Sequence, residues 1–445
     1  MVEILVRGKH VVTMNAARDV IVDGAVAVAG DRIVAVAAWA GLRASHPDAV
    51  VVGDGTGVVT PGYINAHQHL TGDRLVRSCI PDAIDSQDAI FNWAVPIHTA
   101  HTGDDDHLSA TLSLVEAVGN GITCTIEAGT VAHPDRVVQA MHDVGVRGTI
   151  GRWGWDVGDG PQAAPATEVL DRMRSLVERH PSGGLVEGWV TLVGHDLMSD
   201  ELVAGASELA RASGTHLTFH LSPHRGDPAS YLERTGLRPT VHLDRLGALG
   251  PHVLIAHGVH LDDAEVDTIL RTETAIAACP WAYLRLAQGV TAGGRYAELF
   301  VRGARLAIGL DSENAGDAID ALRAAALFVG LARDTTMDPF SITAHHGLEL
   351  LTIRGAEAVG MADRIGSLEA GKQADIVVHG TSGPQWTPMG TDPVLQLVWA
   401  SDGRSVSDVL IAGRHVVDDG RCITVDVTAA RTQAQERQAA LLRGR

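Results

Sequence analysis

Aromatic residues, cysteines and positive charges are all scarce in this sequence, and each shortage argues against a class of protein. Aromatic residues make up 4% of the 445 positions. The four cysteines, at positions 79, 124, 279 and 422, contain no CxxC pair, which gives neither a disulfide framework nor a cysteine-type zinc site. Lysine and arginine number 35 against 54 aspartates and glutamates, so the net charge of −19 argues against nucleic acid or an anionic membrane as partner.

Long hydrophobic segments are also missing. The first residues, MVEILVRGKHVVTM, contain no apolar run long enough for a signal peptide. No stretch reaches the roughly 18 apolar residues that a membrane-spanning helix needs. We therefore expect a cytoplasmic protein without a membrane partner. Histidine is the abundant residue type, with 22 copies, and several of them follow predicted strands.

The order of apolar segments predicts an α/β fold. From Val58 onward, apolar strands alternate with helical patterns, which is typical of βαβ units. Eight such strands with crossover helices predict a distorted TIM (β/α)8 barrel. The predicted strands are Val58–Ala66, Ile122–Glu127, Arg147–Arg152, Gly188–Val193, His216–His220, His252–His257, Thr274–Ala278 and Arg305–Asp311.

Short strand patterns at both ends of the chain predict a second unit beside the barrel. The first sixty residues contain several short strands separated by turn signals, and similar strands return after the barrel pattern ends. We predict a small β-sandwich built from residues 1–57 and 365–425, a barrel domain at 58–364 and a C-terminal helix at 426–445.

The strongest local signal is the pair His67 and His69 in Asn65-Ala66-His67-Gln68-His69, at the end of the first predicted barrel strand. Residues two apart in an extended strand project to the same side, so both imidazoles can bind one metal. TIM barrels place their active sites at this end of the strands. The pair is weak evidence by itself.

Three further residues strengthen the case for a metal site at this pair. His220 ends the fifth predicted strand, His257 the sixth and Asp311 the eighth. Each alone has an ordinary explanation, a hydrogen-bonded core histidine or a helix N-cap. Imidazoles with a carboxylate suit zinc or iron and leave a coordination position for water. Together these strand ends predict a metal site.

These motifs resemble the amidohydrolase superfamily, and best its branch of heterocycle deaminases and triazine chlorohydrolases. The resemblance is carried by the HxH pair after Pro61-Gly62-Tyr63-Ile64-Asn65, by Ile255-Ala256-His257-Gly258, by Gly309-Leu310-Asp311 and by the run Ile365–Asp375. It implies that His67, His69, His220 and Asp311 bind one divalent metal and that His257 contacts the metal-bound water. We favour zinc, and iron stays open as the alternative.

Those roles agree with the chemistry of hydrolysis. A bound divalent metal lowers the pKa of water from about 15.7 to about 7. Asp311 can take the proton from that water and deliver it to the leaving group. His257 can orient the water and stabilise the charge that develops on the substrate.

One departure from the branch concerns proton delivery. Relatives show His-x-x-Glu after the fifth strand, and the glutamate protonates a ring nitrogen of the substrate. Here Pro223 stands at that position. We consider His224, Glu313 and Glu127 as replacements and favour His224, since an unperturbed histidine titrates near 6.5.

The resemblance and the positions of aromatic residues suggest a substrate pocket. His195 follows the fourth strand, where relatives often have a substrate-contacting histidine, and Trp93 follows the first, where they carry a tryptophan. Trp281 and Tyr283 follow the seventh, and Trp153 and Trp155 the third. With Glu313 near Asp311, these residues predict an aromatic-walled pocket for a flat ring.

Three functions remain open on the sequence. The first is hydrolytic release of ammonia, an amine or another leaving group from a ring carbon. The second is hydrolysis of an amide, urea or carbamate-type C–N bond, which Pro223 favours because a carbonyl substrate needs no separate acid. The third is a non-catalytic binding barrel, which retention of every ligand argues against. We expect a small-molecule substrate and a homodimer or higher homo-oligomer.

Overall fold

The strands divide between a terminal sheet and a central barrel in this computed structural model, which describes residues 2–85 and 88–443. In chain order they are β1 (Ile4–Val12), β2 (Val20–Ala29), β3 (Arg32–Ala38), β4 (Val50–Val52), β5 (Val58–Pro61), β6 (Tyr63–Gln68), β7 (Ile122–Glu127), β8 (Arg147–Ile150), β9 (Val186–Gly188), β10 (Val190–Gly194), β11 (Leu217–Leu221), β12 (Val253–His257), β13 (Ala275–Ala278), β14 (Leu306–Ile308), β15 (Ile376–His379), β16 (Val406–Ile411), β17 (Arg414–Asp418) and β18 (Arg421–Cys422).

The terminal sheet joins both ends of the chain. Its strand order is β18-β17-β16-β15-β5-β1-β2-β3, with β4 beside β1. Backbone bonds from Ala374 N to Asp31 O (2.8 Å) and from Ile33 N to Lys372 O (2.9 Å) bring its two halves together. Apolar side chains from both halves, including Ile33 and Ile376, form one buried cluster. The predicted β-domain shared by both termini is confirmed.

The predicted strand Val58–Ala66 proves to be two strands. β5 pairs with β1 and β15 in the terminal sheet, whereas β6 begins the barrel. The chain turns at Gly62, where a Cβ would lie 2.0 Å from the Thr123 hydroxyl oxygen. Both strands are buried throughout, so an apolar pattern cannot reveal the break. The division into domains at 57/58 and 364/365 stays a prediction, with β5 belonging to the terminal sheet.

The barrel consists of parallel strands in the orders β6-β7-β8-β9 and β10-β11-β12-β13-β14. β9 and β10 are two halves of the predicted fourth strand, interrupted at Trp189, whose N–H bonds Ile150 O at 3.0 Å. The ring closes where the N–H groups of Leu310 and Asp311 donate to His67 O at 3.1 and 2.9 Å. The predicted distorted TIM barrel is confirmed, and its closure joins two site residues directly.

Helices surround the barrel and connect its strands. Among the described residues, none combines the length and apolar character needed to cross a membrane. Thr102 and Asp262 begin two of them with capping boxes. The α-helices are Trp39–Ser45, Val95–Ala100, Gly103–Gly119, Pro134–Val144, Ala166–Arg179, Asp200–Ala212, Gly226–Thr235, Pro239–Arg245, Asp263–Thr272, Pro280–Arg285, Val290–Gly293, Tyr296–Val301, Glu313–Gly316, Ala321–Thr336, Ala344–Leu351, Ile353–Ala358, Pro393–Ala400 and Val427–Leu442.

Shorter helical turns complete the connections. Ala89–Ala94 forms a π-helix, and Arg74–Val76, Pro384–Trp386 and Gly403–Ser405 form 3-10 turns. The C-terminal helix is held to the barrel by the ion pair of Arg437 with Asp105.

Candidate metal centre and active site

The candidate centre lies at the C-terminal mouth of the barrel. His67 and His69 come from β6, His220 from β11 and His257 from the last position of β12, while Asp311 follows β14. The backbone of His257 (φ 79°) and of Asp311 (φ 64°) is left-handed, a costly conformation for these residue types that is common at functional sites.

Distances within this group suit a single metal ion. His69 Nε2 lies 3.2 Å from His220 Nε2 and 3.3 Å from Asp311 Oδ1. His67 Nε2 lies 3.8 Å from the same carboxylate oxygen. Metal bonds of about 2.0–2.2 Å in a tetrahedral site put neighbouring donors about 3.3–3.6 Å apart. The buried histidine cluster could therefore hold a metal ion.

The hydrogen bonds around the rings test this fit. His220 Nδ1 donates to the Val193 carbonyl at 2.7 Å, so Nε2 carries the lone pair that a metal needs. The Thr130 hydroxyl lies 2.7 Å from His69 Nδ1 and accepts from it in the tautomer that leaves Nε2 available. His67 Nε2 is buried and has no hydrogen-bond partner among the described residues. The donor set fits a divalent metal.

Burial and charge set the protonation of these groups. Burial lowers the pKa of His67 and of His220 well below the usual range, which keeps both rings neutral. For Asp311, burial alone would raise the pKa, but the hydrogen bond from His69 and the surrounding imidazoles hold it well below its usual range. For His69, burial alone would lower the pKa, but the hydrogen bond and the charge of Asp311 outweigh burial and raise the pKa above its usual value.

His257 stands slightly apart from the proposed ligands. Its Nε2 lies 3.9 Å from Asp311 Oδ2, and its ring is 5.5 Å from that of His220. Burial lowers its pKa to about 4, so the ring is neutral at physiological pH. A neutral imidazole beside a carboxylate can hydrogen-bond a water or substrate atom held between them.

A cavity of about 900 Å³, its open mouth included, lies above the cluster. Trp153 and Trp155 form one wall, with ring centroids 5.5 Å apart. The π-helix contributes Ile90 and Phe91 to another. The largely apolar, aromatic lining with a few polar groups is that of a site for a small, flat molecule.

His195 also lines the cavity. Its backbone is left-handed (φ 54°), and its ring lies parallel to that of His220 at 5.5 Å. Asp227 Oδ2 accepts from His195 Nδ1 at 3.0 Å and so fixes the ring. The structure brings His195 to the cavity, and its predicted contact with substrate stays a proposal.

His224 lies one ring further out. Its ring is 5.9 Å from that of His195, and its Nε2 is 3.4 Å from Asp227 Oδ1. The side chain lines a neighbouring pocket with Asp196, whereas Pro223 lines the main cavity. His195 thus stands between His224 and the metal cluster, and the proton-donor role of His224 remains a hypothesis.

Three predicted aromatic contacts lie beside the cavity, not on its described surface. Trp93 belongs to the π-helix, but Ile90 and Phe91 form the wall there. The Tyr283 hydroxyl is buried, 2.8 Å from Cys279 N and 2.9 Å from Tyr296 Oη. Trp281 packs under the Arg323 guanidinium at 5.1 Å. Their predicted substrate contacts remain untested.

The two acidic alternatives, Glu313 and Glu127, are buried. Glu313 is buried and accepts from the Ser113 hydroxyl at 2.5 Å, and Glu127 accepts from Gly129 N at 2.6 Å. Burial raises the pKa of each to about 7. Neither residue is among those that line the cavity.

Several residues that line the cavity were not predicted from the sequence. Asp73 and His98 form a buried pair, with 3.4 Å between Asp73 Oδ1 and His98 Nε2, and both line the cavity. Gln288 and Asn314 line it as well. Asp73 follows His69 by only four residues, and this closeness to the HxH pair could have drawn attention to it. For the other three, no sequence pattern marks loop residues whose partners are distant in the chain.

The profile of the amidohydrolase family matches residues 58–416. The chain belongs to the amidohydrolase family. A profile described as an imidazolonepropionase-like composite domain of bacteria matches residues 24–49, within the terminal sheet. Membership of the family agrees with the barrel, the joined termini and the histidine cluster.

Similar proteins of known activity are deaminases and triazine hydrolases. A 5-methylthioadenosine/S-adenosylhomocysteine deaminase of Syntrophobacter fumaroxidans is 29% identical, covering 91% of this chain and 90% of its own. A zinc-bound adenosine deaminase from Xanthomonas campestris is 25% identical with a TM-score of 0.92, covering 99% of this chain and 98% of its own. This amidohydrolase is a metal-dependent aminohydrolase.

The fold is shared more widely than the sequence. The zinc complex of an atrazine chlorohydrolase from Arthrobacter aurescens TC1 superposes with a TM-score of 0.88 at 22% identity, covering 98% of this chain and 99% of its own. At that identity the likeness concerns the fold alone.

Proposed function

We propose that this amidohydrolase is a zinc enzyme that releases ammonia or an amine from a ring carbon of a small nitrogen heterocycle. The observation that carries the proposal is the set of four donors, His67, His69, His220 and Asp311, at metal-ligand separations below an aromatic-walled cavity. Zinc is preferred to iron because the similar adenosine deaminase structure contains zinc.

The chain's own residues divide the proton chemistry. A bound divalent cation supplies a water of lowered pKa. Asp311 is ionised at neutral pH because its pKa is held low, so its carboxylate can accept the water proton and return it to the leaving group. His257, neutral and 3.9 Å from that carboxylate, orients the attacked group and stabilises the charge that develops there.

Proton delivery to a ring nitrogen needs another group, because Pro223 cannot provide one. We assign it to the histidine pair His195 and His224, which share Asp227. His195 faces the cavity, and His224 was the residue that the sequence favoured. Trp153 and Trp155 would hold the ring flat against the cavity wall.

A second function is supported by the same proline. Hydrolysis of a cyclic amide, urea or carbamate requires the water and Asp311 but no acid directed at a ring nitrogen. Product analysis separates the two, since only the first function releases an amino group from an intact ring.

The test uses purified protein with its zinc content measured. Ammonia release is followed with aminopurine nucleosides and aminotriazines, and ring opening with cyclic amides and ureas. We expect ammonia from at least one aminoheterocycle. His220→Ala should abolish both zinc binding and turnover, while His345→Ala, an exposed histidine paired with Asp392, should change neither. Full activity without bound metal would contradict the proposal.

A further inference from the structure

Within the described chain, no lysine or arginine lines the cavity above the proposed metal centre, and its basic side chains are histidines, among them His195, whose cationic form pairs with Asp227. Arg74 and Arg285 are adjacent in sequence to lining residues, but Arg74 Nη1 bonds Glu116 at 2.5 Å and Arg285 Nη1 bonds Asp317 at 2.6 Å. Both guanidinium groups are therefore already neutralised by protein carboxylates.

Apart from the proposed metal ligand Asp311, the carboxylate that lines the cavity is Asp73. Asp73 and Asp311 both line it, and Asp73 is 3% exposed. The remaining wall is largely apolar, with Ile80, Ile90 and Phe91 on one side and the tryptophan pair on another. A carboxylate or phosphate placed here, away from the metal and from His195, would lose its hydration and gain no opposite charge, which is strongly unfavourable.

Uncharged polar groups of a ligand, by contrast, can hydrogen-bond to two side-chain amides of the cavity. Gln288 and Asn314 line the cavity, and each is 7% exposed. Each has a buried side-chain oxygen, Gln288 Oε1 and Asn314 Oδ1, without a hydrogen-bond partner among the described residues. Buried polar atoms in native proteins are nearly always hydrogen-bonded. The two side-chain oxygens can therefore each accept a hydrogen bond from a ligand in the cavity.

We propose that this cavity selects an uncharged heterocycle with an apolar substituent, recognised at its polar edge by Gln288 and Asn314, and rejects the same ring when the substituent carries a carboxylate or phosphate. The inference rests on the proposed function and narrows it to one substrate class. The deaminase relatives are named for both 5-methylthioadenosine and S-adenosylhomocysteine, and the inference favours the first of these two compounds as the ligand.

The first experiment measures binding by calorimetry on the zinc-loaded protein. Two pairs are compared. An N-ethyl aminotriazine and its N-carboxymethyl analogue differ in the carboxylate, and 5-methylthioadenosine differs from S-adenosylhomocysteine in a larger substituent that carries a carboxylate and an ammonium group. We expect the carboxylate to weaken Kd by about tenfold or more in at least one pair. Equal affinities in both pairs, tighter binding of the carboxylates, or no binding of any compound would each overturn the inference.

Ammonia release is measured on the same samples. Selective binding of the uncharged compound without ammonia release would defeat the proposed function and leave the selectivity standing. Ammonia release with equal affinity for both members of a pair would defeat the selectivity alone. The two failures are therefore distinguishable.

A positive charge introduced into the cavity wall tests whether electrostatics causes the selectivity. Phe91 lines the cavity near its mouth and is 37% exposed, so Phe91→Arg should fold. We expect it to improve binding of the carboxylate by about tenfold relative to its uncharged partner, whereas Phe91→Leu should not change the ratio. An unchanged ratio in Phe91→Arg would contradict the electrostatic explanation.

A second pair of variants tests the amides. Gln288→Leu keeps the size of the side chain but removes both polar atoms, so it should weaken binding of the uncharged ring by about tenfold with zinc content unchanged. Gln385→Leu, which changes a glutamine in the 3-10 turn Pro384–Trp386 away from the cavity, serves as the control. Wild-type affinity in Gln288→Leu would argue against its role in recognition.

Discussion

Two groups of histidines and an aspartate adjoin each other at the barrel mouth, and their hydrogen bonds differ. The inner group contains His67, His69 and Asp311, and the outer group contains His195, His224 and Asp227. In both, the donor atoms lie within 4.8 Å of one another. Composition and spacing alone would give the two groups the same role.

The tautomers separate them. Next to the inner group, His220 donates from Nδ1 to a backbone carbonyl, and its Nε2 faces His69. In the outer group, Gly226 N–H donates to His224 Nδ1 at 3.0 Å, so the proton of the neutral ring lies on Nε2 and points to Asp227. The Nε2 atom of His220 therefore stays available to a metal, whereas His195 Nδ1 and His224 Nε2 of the outer group both face Asp227.

Removing a proposed metal ligand beside the inner group should have the largest effect. His220→Ala removes a proposed ligand, so we expect loss of bound zinc and a fall in activity of about 10³-fold or more. Metal analysis and turnover measure both. Retention of one zinc per chain in this variant would show that the centre lies elsewhere.

Breaking the outer group should spare the metal. If the histidine pair delivers the proton, His224→Ala should lower turnover by about 10²–10⁴-fold with zinc content unchanged. Arg225→Ala, the next residue in the chain, is the matched control. Full turnover in His224→Ala would leave His195 as the donor or favour the carbonyl substrate that needs none.

The support of the inner group can be weakened without touching a ligand. Thr130→Val removes the hydroxyl beside His69 Nδ1, and loss of such a contact typically weakens metal binding by about 10–100-fold. Competition with a zinc chelator measures the change. Thr123→Val, a buried threonine whose hydroxyl has no partner among the described residues, should behave as wild type.

The smallest expected effect concerns pH. Burial alone would lower the pKa of His195, but the charge and hydrogen bond of Asp227 outweigh it and raise the pKa. Asp227→Asn removes the charge, so the pKa should fall and protonated His195 should be lost at lower pH. The alkaline limb of kcat should then move to lower pH. Asp196→Asn, whose carboxylate pairs with Arg234, should leave the profile in place.

Sequence reasoning succeeded where barrel topology makes position predictable. Parallel strands of a barrel end at one mouth, so His67, His220 and Asp311 meet there although 244 positions separate the first from the last. It did not identify Ile90 and Phe91, which form the cavity wall in the π-helix that contains Trp93, because the rotation of a helix about its axis depends on packing.

The sequence by itself determined the alternation of strands and helices, the strand ends that carry the donors, and the loss of the usual acid at Pro223. Only the tertiary structure decided that Val58–Pro61 leaves the barrel for the terminal sheet, that Asp227 ties the outer histidines together, and that Gln288 faces the cavity. Strand periodicity and barrel closure are local or topological properties that residue patterns record. Tautomers and loop side-chain directions depend on partners far apart in the chain, which no local pattern contains.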